Sequence, residues 1–328
     1  MPEEARRLAR VQVKADLDLV ALGECMVEFN SQGPLREAEL FNKSFGGDTL
    51  NCVVAACRLG SRAGFISRVG DDPFKDFLLK SWCQEGLDLS HVRVVPGFNA
   101  IYFISLRSDG DRDFTYYRRG SAASQISRQD LDEKYISSCR IFFTSGITQA
   151  ISNTCRQAVV AGFEMARQRR CLTAYDPNYR SKLWPRETAR QALEEIAPYV
   201  DIFLPSFPEE TSLLLGLEDV SQVIEFFWKK GAKMVAVKKG PGGSTVGWDG
   251  KMVDIAPYPG AIVDTTGAGD AFNGAFLHGL ASGLDPFRAG LLANIVAGLK
   301  ISAQGAISGL PRKEEAYSIF QRIEKEGR

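Results

Sequence analysis

The sequence predicts an α/β fold, a mostly parallel sheet covered by helices on both faces with a smaller sheet set apart from it. Strand-like and helix-like stretches alternate from residue 17 onward. That alternation breaks between residues 98 and 119 for two aromatic-rich runs joined by Ser108-Asp109-Gly110-Asp111, a hairpin signal. At 328 residues the chain can also bury a substantial core.

Leu17–Leu22 reads as the first strand, ending at Gly23. Cys25–Asn30 and Leu40–Phe45 are short runs suited to the small sheet, and Asp48–Leu59 is a helix that Gly60 stops. Ala63–Val69 is a second strand, and Pro73–Glu85 a helix with proline near its first turn. Ile101–Leu106 and Asp113–Arg118 complete the small sheet, giving lid strands near 25–45 and 98–119 whose closure would exclude water. Arg140–Phe143 resumes the alternation. Ser152 then caps a helix with Val159, Phe163 and Ala166 on one face. Leu172–Tyr175, Asp201–Leu204 and Met234–Lys238 are further strands, and Leu291, Ile295 and Leu299 recur at helical spacing. Residues 1–16 are charged and lack an apolar signal core, so they read as a flexible extension before one domain over 17–328.

Forty basic and forty acidic residues cancel and no long run of one charge occurs, which argues against nucleic acid or an anionic membrane as main partner. No apolar stretch reaches the roughly 20 residues that span a bilayer. Seven scattered cysteines without a Cys-x-x-Cys pair, and only two histidines, argue against a zinc site or a disulfide framework. The expectation is a cytoplasmic protein with reduced, mostly buried thiols and a structural His278.

The most informative stretch is Asp264-Thr265-Thr266-Gly267-Ala268-Gly269-Asp270, which opens an apolar helix. A glycine turn at a helix start presents free N–H groups backed by the helix dipole, an anion site. Asp270 in the first turn is then placed to take the proton of an attacking hydroxyl, as phosphoryl transfer requires. A capped helix after a loop is the plain alternative. Phe45-Gly46-Gly47-Asp48-Thr49-Leu50-Asn51 also precedes a helix. Asp48 and Asn51 suit sugar hydroxyls or, equally, an ordinary glycine turn. On the run Tyr116-Tyr117-Arg118-Arg119, alternation puts Tyr116 and Arg118 on one face. An arginine there would hold a carboxylate by paired charged hydrogen bonds, or would be a solvated edge. Asn178 and Arg180 follow a strand end, where open α/β sheets place ligands. Lys238-Lys239-Gly240-Pro241-Gly242-Gly243 borders either a nucleotide phosphate or a plain hairpin, and Glu210 follows a further strand.

Together and in this order, these blocks resemble the ribokinase-like carbohydrate kinases of the PfkB family, from about Asp18 to Pro311. The resemblance implies a three-layer αβα core with a β-sheet lid and ATP-dependent phosphorylation of a sugar alcohol, with Mg2+ and optionally a monovalent cation such as K+ at the Asp264 loop. It makes Asp270 the base and Gly267, Ala268 and Gly269 the anion hole. It makes Lys239, Gly240, Gly243, Asn178 and Asn294 nucleotide contacts and Glu210 an indirect magnesium contact. The Asn that many members carry before that Glu is replaced by Phe207. Gly23-Glu24-Cys25-Met26-Val27-Glu28, Tyr116-Tyr117-Arg118, Ser145-Gly146-Ile147 and Asn178-Tyr179-Arg180 are most similar to the branch acting on 2-keto-3-deoxygluconate. That similarity implies sugar-acid contacts at Gly46, Gly47, Asp48, Asn51, Tyr102, Tyr116, Arg118 and Arg180 and a product phosphate on C6. Fructose, ribose and 5-dehydro-2-deoxygluconate are the alternative sugars. A silent sugar sensor is disfavoured because base and anion hole are intact. The aromatic lid strands imply a homo-oligomer, with lid-to-lid pairing.

Overall fold

Strand β1 (Leu17–Leu22) divides the hydrophobic interior: Leu19 and Ala21 enter one core cluster, Val20 and Leu22 the other. This is the alternation expected of a strand buried on both faces. The computed structural model describes residues 16–106 and 112–326. The expected 1–16 extension, except its last residue, and the hairpin tip at 108–111 lie outside them.

The main sheet has nine strands, whose lateral order differs from their order along the chain. After β1 come β4 (Ala63–Gly70), β5 (Val92–Val95), β8 (Cys139–Ser145), β9 (Leu172–Asp176), β10 (Ile202–Phe203), β11 (Met234–Lys238), β12 (Ser244–Trp248) and β13 (Lys251–Ile255). Across the sheet they run β13-β12-β11-β10-β9-β8-β1-β4-β5. Pairing is parallel from β11 to β5, while β12 and β13 close one edge antiparallel. One face is covered by α1 (Asp48–Arg58), α2 (Lys75–Gln84), α9 (Ala268–Ala281), α10 (Pro286–Ile301) and α11 (Lys313–Glu326). The other is covered chiefly by α5 (Asn153–Gln168), α6 (Arg186–Ile196), α7 (Glu209–Leu215) and α8 (Val220–Lys229). Two short helices, α3 (Glu133–Ser137) and α4 (Gly146–Ile151), flank β8. Trp82 of α2 meets Phe65 of β4 edge to face, ring centres 5.6 Å apart, and truncating such a buried aromatic costs about 3–5 kcal/mol.

The lid is a separate four-stranded sheet in the order β3-β2-β6-β7, with β2 (Met26–Asn30), β3 (Asn42–Gly46), β6 (Ala100–Leu106) and β7 (Arg112–Tyr117). Its pairing is antiparallel at both edges and parallel between β2 and β6. Tyr116 stacks on Tyr102 on one face, while Tyr117 packs edge-on to Phe103 on the other, as alternation required.

The three-layer core and lid match the expected architecture. The helix expected over Pro73–Glu85 is shorter, because Pro73 and Phe74 precede its first turn, and Asp201–Leu204 contracts to two strand residues. Ser152 caps α5 through the amide of Cys155 at 3.2 Å. All seven cysteines are free and five are buried. His278 sits between Ser61 (2.7 Å) and Tyr317 (2.8 Å), and burial lowers its pKa to about 4, a structural role. Among the described residues no helix is long and apolar enough to cross a membrane.

Candidate active site

Several parallel strands end on one side of the sheet with polar residues just at or after their last positions: Glu24 after β1, Ser145 on β8, Asp176 on β9 and Lys238 on β11. Backbone ends there and helices begin there, so dipoles and side chains converge. Asp176 Oδ2 accepts from Lys238 Nζ and from Asn273 Nδ2, each at 2.6 Å, and Lys238 Nζ also reaches Asn273 Oδ1 at 3.2 Å. Neither Asp176 nor Asn273 stood out in the sequence. Asn273 lies one turn after Asp270 on α9, and that spacing is the signal for it.

Gly267 supplies the left-handed turn that starts α9, with φ of 76°. A Cβ at Gly269 would find its nearest neighbour, Lys238 Nζ, at 3.7 Å, so the turn lies beside a buried ammonium. The Gly267–Gly269 turn therefore combines a helix N-terminus with a fixed positive charge. Asp270 is half-buried and its Oδ2 accepts from Asn51 Nδ2 at 2.8 Å. Burial, together with the charges of Asp48 and Asp176, raises its pKa to about 7 against the partial relief of the Asn51 bond. A carboxylate poised near neutrality is suited to general-base work.

The sugar side assembles around α1. Gly47 N donates to Asn51 Oδ1 at 3.3 Å, and Asn178 Nδ2 donates to Asp48 Oδ2 at 3.1 Å. A Cβ at Gly47 would meet the Glu24 carbonyl oxygen at 2.2 Å, and one at Gly46 would meet the Tyr102 hydroxyl at 2.5 Å, so both glycines permit close backbone approach. Tyr102 donates to Glu28, and burial raises both of their pKa values. Arg118 Nη2 lies 2.5 Å from Glu24 Oε1, and its guanidinium carbon stands 5.9 Å from the Tyr116 ring centre. Yet Arg118 Nε and Nη2 are buried without a hydrogen-bond partner, as are both Glu24 carboxylate oxygens. The pair is a charge contact with unused hydrogen-bonding capacity. Arg180 is exposed at the rim, and its charge draws down the pKa values of Tyr116 and Glu210 against the larger effect of burial.

Of the expected nucleotide residues, Lys239, Gly240, Gly243 and Asn294 form a second group, while Asn178 lies on the sugar side against Asp48. Lys239 Nζ pairs with Asp254 at 2.6 Å, and Gly240 and Gly243 take φ of 54° and 77°. The turn joins β11 to antiparallel β12, so it is a hairpin as well as a candidate phosphate border. Asn294 is buried and donates to the Ile255 and Ala256 carbonyls, each at 3.0 Å, which fixes the wall after β13. Glu210, in the first turn of α7, accepts from Ser206 N at 3.4 Å. Burial and the Asp176 charge raise its pKa to about 8. Among the described residues no group of three or more His, Cys, Asp or Glu could hold a metal ion. Glu210 and Asp176 are near enough that the charge of Asp176 adds to the raised pKa of Glu210.

A sequence profile described as pfkB family carbohydrate kinase matches residues 16–313. The 2-dehydro-3-deoxygluconokinase of Thermoproteus tenax is 34% identical over 316 residues, covering 94% of this chain and 96% of the relative. Fructokinase-1 of Oryza sativa subsp. japonica is 32% identical over 318 residues, covering 92% and 97%. Among solved structures, an E. coli protein provisionally assigned as a ribokinase II, in complex with ATP and Mg2+, superposes with a TM-score of 0.86 at 28% identity, covering 93% of this chain and 99% of that one.

Proposed function

The chain belongs to the pfkB family of carbohydrate kinases, and from that premise we propose that it phosphorylates the terminal hydroxyl of a keto-deoxy sugar acid, 2-keto-3-deoxygluconate, to give the 6-phosphate. It is a sugar phosphotransferase that uses ATP. The single observation that carries the acid reading is Arg118. It is a buried guanidinium packed over Tyr116 whose Nε and Nη2 have no hydrogen-bond partner. A substrate carboxylate would supply aligned acceptors to that fork, which Glu24 at 2.5 Å meets only as a charge contact, and a neutral ketose would not.

In this reading Gly46, Gly47, Asp48 and Asn51, at the junction of β3 and α1, hold the sugar hydroxyls, while Tyr102, Tyr116 and Arg180 close the pocket. Asp270 takes the proton of the terminal hydroxyl as that oxygen attacks the γ-phosphorus, and the ADP oxygen leaves in line. The Gly267–Gly269 amides and the Lys238 ammonium meet the charge that develops on the transferring phosphoryl group. Glu210 would be the residue that helps hold a magnesium ion, which, when bound, would supply positive charge against the nucleotide phosphates. Lys239, Gly240, Gly243 and Asn294 line the nucleotide side, while Asn178 holds Asp48 on the sugar side. The outer lid face, with Leu40 and Tyr117 exposed beside the Phe29–Phe41–Phe103 cluster, is the surface for lid-to-lid pairing of two copies, which light scattering tests.

The deciding assay is coupled ADP release with 2-keto-3-deoxygluconate, its galactonate epimer, 5-dehydro-2-deoxygluconate, fructose and ribose. A keto-deoxy acid should win in kcat/KM by about a hundredfold, roughly 2.7 kcal/mol of transition-state discrimination. Fructose or ribose turning over fastest would leave a sugar kinase and remove the acid.

A further inference from the structure

Lys300 lies near the end of α10 in the run Leu299-Lys300-Ile301 and is fully buried. Its Nζ donates to the backbone carbonyl oxygen of Asp264 at 2.6 Å and stands 4.0 Å from Asp264 Oδ1. Around it the loop is tightly held. Val263 N and Asp264 N both donate to the Ile301 carbonyl oxygen, at 2.8 and 3.0 Å. The Asp264 carboxylate accepts from Thr266 N at 2.8 Å, from Gly305 N at 2.6 Å, and from Arg112 of the lid. Three residues beyond Asp264, Gly267 begins the anion hole. A carbonyl oxygen beside a carboxylate is an oxygen environment that suits a hard cation. Here it is met by an ammonium on the chain's own backbone, although burial works against the charge and lowers the Lys300 pKa to about 8.

We infer that the Lys300 ammonium stands in for the monovalent cation expected at the Asp264 loop, so that this chain holds its anion hole without potassium. An ammonium group and a potassium ion share charge and approximate size. A tethered ammonium pays no association entropy and cannot be exchanged for sodium. Lys300 is thus a positioning residue that acts on the phosphoryl group through the loop. The inference rests on the kinase reading, and its test has an arm that needs no sugar.

The full-length protein is assayed for ADP release and for Tm in KCl, NH4Cl, NaCl and choline chloride at about 0.1 M, where ionic strength is matched and only the cation differs. Wild-type kcat should change by less than about threefold across the series and Tm should not depend on the cation. Lys300→Met keeps the stem and removes the charge. It should lose about tenfold or more in kcat in choline chloride, regain several-fold of it in KCl or NH4Cl, and melt higher in those salts than in choline. A wild type that potassium stimulates beyond threefold overturns the inference. So does a Lys300→Met protein as active in choline as wild type, or a loss that neither cation restores with no selective rise in Tm. Should Lys300→Met not fold, Lys300→Gln and the wild-type series decide by the same criteria. Silence of every sugar would sink the kinase reading and leave the melting arm standing.

Discussion

Asn51 Nδ2 donates to Asp270 Oδ2 at 2.8 Å, joining α1, which follows lid strand β3, to the helix that carries the anion hole. The bond orients the carboxylate, and burial and the Asp48 charge keep its pKa near 7. Asp270→Asn should keep that acceptor while removing the base. We expect kcat to fall by about 10²–10⁴-fold, with a modest change in KM, in steady-state assays with ATP and the sugar acid. Turnover near wild type would remove Asp270 from the base role.

The same shift predicts a stability change of definite sign. The folded pKa of Asp270, about 7, lies above the ordinary aspartate value of 3.8, so between those values the folded state binds the proton that the unfolded state has lost. Stability from this group is present below about pH 4 and declines as pH rises to 7. Asp270→Asn abolishes that decline. Its Tm should exceed that of wild type at pH 8, by more than any difference at pH 4, in paired thermal melts.

Replacing Asn51 tests the coupling directly. Asn51→Asp sets a like charge against Asp270 in place of a donor. The acid limb of the kcat/KM profile, expected near pH 7 in wild type, should move up by about one unit or more. An unmoved limb would mean that some other group sets it.

Gly269 offers a separation of folding from function. A Cβ there meets nothing closer than 3.7 Å, and alanine is a better helix former than glycine. Gly269→Ala should therefore melt no lower than wild type. Its methyl group would stand where a phosphoryl oxygen has to approach the amides, and kcat should fall by about tenfold or more. Equal kcat would place the phosphate elsewhere.

Much of this was legible because phosphate and sugar chemistry demand local patterns. The Asp264–Asp270 turn, the Gly46–Asn51 turn and the alternation of Tyr116 and Arg118 all state their geometry within a few residues. The long-range partners were not legible. Lys238 and Asp176 are 62 positions apart, and the Asn51–Asp270 pair 219, so only the fold brings them together. Lys300 left a faint mark, a charge inside an apolar stretch of helix, which sequence reasoning takes for a solvated face. The antiparallel edge strands β12 and β13 were not assigned because the glycine turn before them reads equally as a phosphate border and as a hairpin. Glu24 escaped because a carboxylate with no partner nearby in the sequence reads as exposed. Its burial raises its pKa, and Arg118 arriving from the lid offsets part of that rise.

That pairing predicts a pH-dependent cost. In Arg118→Met the Glu24 carboxyl loses the cation that partly offsets its burial, and its folded pKa rises further above 4.5. The variant should then be less stable than wild type by about 3 kcal/mol at pH 8, where the buried charge is unpaired, and by less at pH 5.5, because the raised pKa lets protonation relieve more of that charge at the lower pH. Denaturant midpoints at the two pH values give the comparison.

The most direct test of the account is the ratio of kcat/KM for 2-keto-3-deoxygluconate to that for fructose, in wild type and in Arg118→Met. A guanidinium that reads the carboxylate predicts a wild-type ratio of about a hundred or more that collapses toward ten or below in the variant, through the sugar KM and with the ATP KM nearly unchanged. A ratio that survives the substitution would contradict the assignment of Arg118, and with it the sugar-acid reading.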